Sequence, residues 1–334
     1  MRAEAHAGRA PRHETSLVGP VQRALMLKTF PGFATLDSAQ IAVLASITQE
    51  RTFEPGEVLH EPGKPVLAFY LVVSGEVQLY RDGRAAKVMG PRSSVGGLSA
   101  LTGQDNHAVA LTDVLALEVD ADDMDEVFED HYPILLGVLR ALADTLREVQ
   151  IQRGGGASVK QTTQVRPPPK TPLNLVERMF FFRQTSNFAH ASIEALADLV
   201  QDVPELRYEP GQSLWSAGES ASYSVIVLDG VIECTAEGVT SFDFDRGYVV
   251  GGLDALAQRE RWYDARAKTR LRVLELPTAN MFDVLEDHID MAMTLVRTLA
   301  QGVQAMLAAM AAREIVERQS ETHASSGQRE QTDE

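Results

Sequence analysis

Hydrophobic and polar positions follow two different periods in turn along the chain, and the whole succession occurs twice. Between residues 51 and 119, short runs rich in Val, Leu and Tyr are separated by turns that contain Gly or Pro. Turns at intervals of about 8–12 residues are typical of a small antiparallel β-roll. After this region apolar residues recur at helical spacing, and the predicted seam consists of Leu135, Leu139, Leu142, Leu146 and Val149.

The second half of the chain has the same order of patterns. Helical spacing covers residues 176–182 and 192–203, strand-like runs cover 207–276, and a long helix is predicted from about Asn280. Its apolar seam consists of Val296, Leu299, Val303, Met306 and Met310. The seams have two interpretations: each packs on its own β-roll, or the second seam forms a homodimer through the C-terminal helices.

Repeated turn residues fix the register of the two copies. Glu54-Pro55-Gly56 recurs as Glu209-Pro210-Gly211, an offset of 155 (209 − 54), and Glu129-Asp130-His131 recurs as Glu286-Asp287-His288, an offset of 157 (288 − 131). The second copy therefore contains two additional residues. We predict an α+β protein of two tandem β-roll domains, each flanked by N- and C-terminal helices. The predicted boundaries are a disordered arm at 1–20, domain 1 at 21–152, a Gly/Pro linker at 153–173, domain 2 at 174–316 and a disordered tail at 317–334.

Two polar features belong to the predicted helices. Asp37 precedes an apolar helical pattern and is expected to cap the helix, because its side chain can accept hydrogen bonds from free backbone amides. Each Glu-Asp-His run is expected to mark the junction between two helices. Adjacent helical side chains point in different directions and cannot chelate together, so we predict no metal site there.

Composition narrows the class of protein. No apolar run reaches the roughly 18 residues of a membrane span, and residues 1–15 lack the apolar centre of a secretory signal, so we expect a cytoplasmic protein. A formal net charge of −16 disfavours nucleic acid as a partner. Cys234 is the only cysteine, which excludes an internal disulfide and predicts a buried thiol on a strand.

The turn motifs resemble those of a known family. Glu54-Pro55-Gly56-Glu57, Gly63 and Val73-Ser74-Gly75-Glu76-Val77, with the order of helix, β-roll, Gly-rich insertion and long helices, resemble the cyclic nucleotide-binding domain. The tandem arrangement is similar to the regulatory subunit of protein kinase A. The resemblance implies a jelly-roll fold with a phosphate-binding cassette, in which helix amides and an arginine hold the cyclic phosphate and a glutamate binds the ribose.

Both cassettes depart from the family pattern at these anchors. By the resemblance, the family glutamate falls on Gly97 and Gly252, and the arginine falls on His107 and Asp264. Losing two charge-assisted hydrogen bonds of about 1.5–3 kcal/mol each is expected to weaken binding by several orders of magnitude. The candidate pocket residues are Gly96, Gly97, Leu98, Ser99, His107 and Ala108 in the first copy, and Gly251, Gly252, Leu253, Asp254, Asp264, Ala265 and Arg266 in the second. Arg261 and Arg266 flank Asp264 and could reach inward. Arg266 shares a strand face with Asp264, so we expect an internal salt bridge between them.

Three functional hypotheses follow. The leading one is a non-enzymatic regulatory protein that lacks normal cAMP binding and acts through a protein partner, since no nucleophile elbow or phosphate-loop motif is present. The second is a sensor in which His107 and backbone amides bind a cyclic nucleotide or another small anion. The third is an assembly component that dimerises through the terminal helices. No cofactor is expected beyond a weakly bound cyclic nucleotide.

Overall fold

The structure is a computed structural model that describes residues 19–81, 83–104, 107–155, 165–185, 187–238 and 241–330, with the backbone alone from 311 onward. The predictions for the arm at 1–18 and for the middle of the linker at 156–164 lie outside the described residues.

Helices flank the strands of each unit, as predicted. In the first unit the helices are α1 (Pro20–Leu27), α2 (Ser38–Ile47), α3 (Gly97–Thr102), α4 (Ala121–Asp130) and α5 (Tyr132–Gln152). In the second unit they are α6 (Leu175–Arg183), α7 (Ile193–Gln201), α8 (Gly252–Ala257), α9 (Thr278–Asp287) and α10 (Ile289–Glu330).

The strands occupy the two predicted β regions. The first unit contains β1 (Thr48–Phe53), β2 (Val58–His60), β3 (Ala68–Ser74), β4 (Val77–Arg81), β5 (Arg84–Met89), β6 (Ser94–Val95), β7 (His107–Ala110) and β8 (Val114–Asp120). The second contains β9 (Glu205–Tyr208), β10 (Ser213–Trp215), β11 (Tyr223–Asp229), β12 (Ile232–Thr235), β13 (Phe242–Phe244), β14 (Val249–Val250), β15 (Asp264–Ala267) and β16 (Leu271–Pro277).

Both units have the same sheet topology. The first unit has two four-stranded sheets in the orders β1-β8-β3-β6 and β2-β7-β4-β5. The second repeats them strand for strand, as β9-β16-β11-β14 and β10-β15-β12-β13. Neighbouring strands are antiparallel in both units. The prediction of two tandem β-rolls with flanking helices is therefore confirmed.

Local sequence signals place the helix ends correctly. The Asp37 side chain accepts hydrogen bonds from the amides of Ala39 and Gln40, and the Gln40 side-chain oxygen accepts one from the Asp37 amide, which completes a capping box. His131 lies between α4 and α5, and His288 lies between α9 and α10, as predicted for the helix junctions. The single long helix predicted from about Asn280 is thus two helices, of which the first begins at Thr278.

The structure differs from the sequence prediction at the C-terminus. Helix α10 continues to Glu330, through most of the segment at 317–334 that we expected to be disordered. Polar composition argues against burial, but it does not end a helix, and residues 317–330 contain no proline that would break the hydrogen-bond ladder.

The helical seams pack against each other within one chain. Each β-roll has its own apolar core, whereas α5 and α10 contribute to a third cluster that both units share. The expectation that each seam packs on its own β-roll is therefore wrong. The described seam residues Val296, Leu299, Val303 and Met306 of α10 are buried within the chain, so these four residues do not offer a free surface for a homodimer. Both seams have helix periodicity, which specifies an apolar face but not its partner.

Candidate functional site

The cassette of each unit begins with a glycine in a left-handed conformation. Gly96 precedes α3 with φ of 88°, and Gly251 precedes α8 with φ of 78°. A residue with a Cβ is disfavoured at such angles, which explains why both copies keep glycine there. Gly97, Leu98 and Ser99 form the first half of α3, and Gly252, Leu253 and Asp254 occupy the same positions in α8.

A buried arginine lies beside the second cassette helix. Arg261 is only 2% exposed, and its Nη1 donates to the carbonyl of Gly251 at 2.8 Å, while Nη2 donates to the carbonyl of Tyr223. The guanidinium stacks over the Trp215 ring, 4.2 Å from its centroid. A Cβ at Gly251 would collide with this guanidinium, so the arginine packs directly against the start of the cassette helix.

Asp254 provides a buried carboxylate on the same helix. Its Oδ2 lies 3.9 Å from Arg261 Nη1, and its Oδ1 accepts a hydrogen bond of 2.7 Å from Arg147 Nε. Arg147 belongs to α5 of the first unit, so this ion pair joins the two halves of the chain. Burial raises the pKa of Asp254, while the hydrogen bond and charge of Arg147 and the charge of Arg261 act in the opposite direction.

Aromatic side chains fill the β-roll next to Arg261. Trp215 makes edge contacts with Tyr223 and Tyr263, each with ring centroids 5.9 Å apart. Burial holds the pKa of the Tyr263 hydroxyl well above its usual value. Cys234 lies buried on β12 in the same core, as predicted, and burial raises the pKa of its thiol. The inner space beside the second cassette is therefore occupied by the chain's own side chains.

The first cassette has a histidine in the corresponding place. His60 is the counterpart of Trp215 (215 − 60 = 155), and its ring packs against Gly96 so closely that a Cβ there would collide with it. Its Nε2 lies 2.8 Å from the carbonyl of Ala68, which is the counterpart of the Tyr223 carbonyl bound by Arg261. Burial lowers the pKa of His60, so the neutral ring is favoured and Nε2 donates to this carbonyl.

The remaining predicted residues of the first site lie on β7. The His107 ring stacks on Tyr80 of β4, with centroids 4.7 Å apart, and the neighbouring residue Ala108 is buried and pairs with His60 across the ladder. The site thus brings β2, β7 and the start of α3 together through His60.

The polar residues predicted for the second site do not pair with each other. Asp264 is exposed and accepts a hydrogen bond from the Ala217 amide at 2.8 Å, whereas Arg266 forms an ion pair of 3.3 Å with Glu233. The expected Arg266–Asp264 salt bridge is therefore wrong. Glu233 lies directly opposite Arg266 on β12, and a cross-strand neighbour is closer than the next residue on the same strand face. Ala265, between them, is buried in the core.

Sequence reasoning missed the roles of His60 and Trp215, and for Arg261 it noted only that this residue flanks Asp264 and could reach inward. The signal for His60 and Trp215 was available, because they are repeat counterparts that immediately precede the turn at Gly63 and the turn at Gly218. Arg261 lies in the loop between α8 and β15, near the two-residue insertion, where repeat alignment gives no counterpart.

Contacts between the two units repeat with the register of the chain. Arg147 on α5 reaches Asp254 on α8, and its counterpart Gln304 on α10 (304 − 147 = 157) accepts a hydrogen bond of 2.9 Å from Thr102 on α3. The C-terminal helix of each unit therefore contacts the cassette helix of the other unit. A polar group on each long helix thus reaches the opposite cassette.

Two features are absent from the described residues. Within 19–330, apart from the undescribed gaps, no cluster of three or more His, Cys, Asp or Glu side chains is placed to hold a metal ion. None of the described helices is both long enough and apolar enough to cross a membrane.

Two β-rolls in tandem, each with a glycine-led cassette helix and long C-terminal helices, define the class of this protein. The model of the family described as the cyclic nucleotide-binding domain matches residues 50–131 and 205–288. The chain belongs to this family, and each of its two β-rolls is one such domain.

Solved structures with a similar fold include tandem proteins and single domains. The regulatory subunit of a cAMP-independent protein kinase A from Trypanosoma brucei is 18% identical, with 84% of this chain and 92% of that chain covered and a TM-score of 0.34. The regulatory domain of Toxoplasma gondii protein kinase A, solved with cAMP, is 15% identical, with 84% and 96% covered and a TM-score of 0.33. The N-terminal domain of a transcriptional regulator from Streptomyces coelicolor is 31% identical over 38% of this chain and 93% of that chain, with a TM-score of 0.34. No curated protein matches the chain.

Proposed function

We propose that this protein is a non-enzymatic regulatory protein whose two cyclic nucleotide-binding domains act through a protein partner and do not bind cAMP in the usual way. The observation that carries this proposal is the guanidinium of Arg261, which is buried between Gly251 and Trp215 at the start of the second cassette helix. A ligand that entered this cassette would have to displace a side chain that is held by two carbonyls and an aromatic face.

The charges of the second cassette also disfavour a cyclic phosphate. Asp254 presents a carboxylate on the helix that would face the phosphate, and its two arginine partners already balance it. Gly252 supplies no carboxylate for a ribose hydroxyl. Asp264, which stands where the family arginine is expected, is exposed and bonded to the Ala217 amide. These features support a second domain that acts as a scaffold and not as a nucleotide-binding site.

The first cassette lacks the same anchors but is filled differently. Gly97 has no carboxylate, and the His107 ring is stacked on Tyr80. His60 lies against Gly96, where the backbone of the cassette begins. The imidazole of His107, which stands where the family arginine is expected, lacks the planar fork of a guanidinium, so affinity for a cyclic phosphate is expected to be low.

Exposed apolar residues on the first helix of each unit support a protein partner. Val21 and Leu25 on α1 are 75% and 64% exposed, and Val176 and Phe180 on α6 are 56% and 66% exposed. The two pairs are counterparts (176 − 21 = 155; 180 − 25 = 155), and residues four apart share one face of a helix. A repeated apolar pair on the surface is typical of a contact site.

Calorimetry with cAMP and cGMP tests the proposed loss of nucleotide binding. We expect a Kd on the order of 1 mM or weaker for the full chain, since both charged anchors are missing. A Kd tighter than about 10 μM would contradict the proposal, and loss of that binding in His107→Ala would support the sensor hypothesis instead.

Restoring the anchors distinguishes a missing contact from a filled pocket. Gly97→Glu with His107→Arg is expected to give measurable cAMP affinity in the first domain, because only the exposed Ser94 side chain has to move for a Cβ at Gly97. The matched pair in the second domain, Gly252→Glu with Asp264→Arg, is expected to fail because Arg261 and Trp215 remain in place. Equal gains in the two domains would contradict the occupied second cassette.

The protein-binding output is tested on the apolar pair of α6. Val176→Glu with Phe180→Glu is expected to abolish co-purification of the partner from native cells without lowering the melting temperature. Gln22→Glu, which adds a negative charge at an exposed polar position of α1, serves as the control and should retain the partner. Identical partner profiles for wild type and the α6 variant would contradict this surface.

A further inference from the structure

A cavity lies outside the β-roll of the first domain. It has a volume of about 400 Å³, is partly open to solvent, and is lined by the outer face of α3, the turn at Pro31–Phe33, strand β3, and helices α4 and α5. Its walls are mainly apolar, with Phe33, Phe69, Leu98, Leu101, Met124 and Leu142 among them. A volume of a few hundred Å³ with apolar walls and few polar groups is typical of a small-molecule site.

Arg92 is the cation that lines this cavity. Its guanidinium makes no hydrogen bond or ion pair with any residue that the structure describes. The two carboxylates in the lining are already stabilised: Asp125 pairs with Arg297 at 3.0 Å, and Asp122 lies in the first turn of α4, where the helix end favours negative charge. The cavity therefore has an available positive group.

The backbone at Arg92 is strained. Its φ is 66°, in the left-handed region, and the counterpart in the second domain is Gly247 with φ of 88° (247 − 92 = 155). Glycine adopts this conformation without a steric penalty, whereas the Cβ of an arginine makes the same conformation unfavourable. The first domain thus keeps a charged side chain at a position where the turn itself favours glycine, and such outliers cluster at functional sites.

The second domain has a different side chain at the position that corresponds to the Arg92 turn. There the side chain of Val165, from the linker, lies against Gly247, so that a Cβ at Gly247 would lie 2.5 Å from Val165 Cγ2. An aliphatic group thus occupies the position next to the turn, and it excludes an arginine.

We propose that the cavity of the first domain binds a small amphipathic carboxylic acid, with its apolar body against α3, α4 and α5 and its carboxylate on Arg92. The cavity lies on the outer side of the cassette helix and shares Gly97 and Leu98 with the predicted cassette, and the proposal goes beyond the proposed function. Since the lining includes the cassette helix and both helices that follow the β-roll, an occupant would contact the elements that connect the domain to α10.

Calorimetric titration of the full chain with decanoate tests the proposal, with decanol as the uncharged comparison. Decanoate is expected to bind the wild type more tightly than decanol. Arg92→Gly should weaken decanoate binding by about tenfold or more and leave decanol unchanged, because a charge-assisted contact is lost. The same variant should not lower the melting temperature, since glycine fits the turn.

A second variant fills the cavity. Ala141→Phe adds a ring from α5 and is expected to weaken both decanoate and decanol. The proposal is overturned if the wild type does not bind decanoate, if decanol binds as tightly as decanoate, or if Arg92→Gly binds decanoate like the wild type.

Discussion

At the scale of single residues, Arg261 accounts for the largest difference between the two cassettes. A guanidinium that is removed from water needs partners for its charge and its donors. Arg261 finds them in two backbone carbonyls, the face of Trp215 and the carboxylate of Asp254. Burial lowers its pKa, yet an arginine remains charged at neutral pH. The second domain therefore carries a fixed cation against the start of its cassette helix.

Removal of this cation should destabilise the second domain. Arg261→Ala leaves a cavity beside Trp215 and removes one of the two arginines around the buried Asp254, so we expect a loss of about 3–5 kcal/mol in the free energy of unfolding. Urea unfolding followed by tryptophan fluorescence measures this, because Trp215 contacts the arginine directly.

The control is Arg266→Ala on the following strand. Its ion pair with Glu233 is half exposed, and such pairs contribute about 0–1 kcal/mol. If Arg266→Ala costs as much as Arg261→Ala, the stabilising role assigned to the buried guanidinium is wrong.

The residues of the site show which inferences a sequence allows. Gly96 and Gly251 could be predicted because a left-handed turn demands glycine, and the demand is visible in the repeat. For Arg261 the sequence indicated a side chain beside Asp264 that could reach inward, but nothing within a few residues of it specifies that this side chain stacks on Trp215. The pairing of Arg266 with Glu233 was also missed, since it depends on the register between strands.

At the scale of elements, local rules determine the ends of the helices, and nonlocal packing determines their partners. The capping boxes at Asp37 and Asn174 use residues within one turn, so they are readable in the sequence. The partner of an apolar seam is not encoded locally. In this chain α5 and α10 bury their seams against one another, which neither periodicity alone could indicate.

Substitution in the α10 seam tests this packing. Leu299 is 7% exposed, so Leu299→Ala should lower the free energy of unfolding by about 2–5 kcal/mol through lost burial and a residual cavity. The molecular mass in solution should stay the same, because the seam is satisfied within the chain. Light scattering coupled to size exclusion gives the mass, and a mass that falls on substitution would favour a homodimer through α10.

At the scale of the whole molecule, the two domains face each other in a repeated set of contacts. Arg140 on α5 lies over the ring of Phe282, 5.4 Å from its centroid, and its counterpart Arg297 on α10 pairs with Asp125 (297 − 140 = 157; 282 − 125 = 157). A second pair of equivalent contacts links each long helix to the cassette helix of the other domain. Arg147 on α5 donates to Asp254, and Gln304 on α10 accepts a hydrogen bond from Thr102. One chain thereby forms the kind of twofold-related contact that two copies would form in a dimer.

The Arg147–Asp254 ion pair is expected to be stronger than the equivalent hydrogen bond between Thr102 and Gln304. We therefore expect this ion pair to couple the unfolding of the two domains. Arg147 holds a carboxylate that is 2% exposed, so Arg147→Gln should destabilise the second domain by about 3 kcal/mol, because Asp254 keeps only the more distant Arg261. Both tryptophans, Trp215 and Trp262, lie in the second domain, whereas circular dichroism reports on both. In the wild type the two urea transitions should coincide, and in Arg147→Gln the fluorescence transition should move to lower urea and separate from the other. Asp144→Asn, which breaks the more exposed pair with Arg259 across the same interface, should shift either transition by less than about 1 kcal/mol. Transitions that stay coincident in Arg147→Gln, or a shift as large in Asp144→Asn, would show that this ion pair does not couple the domains.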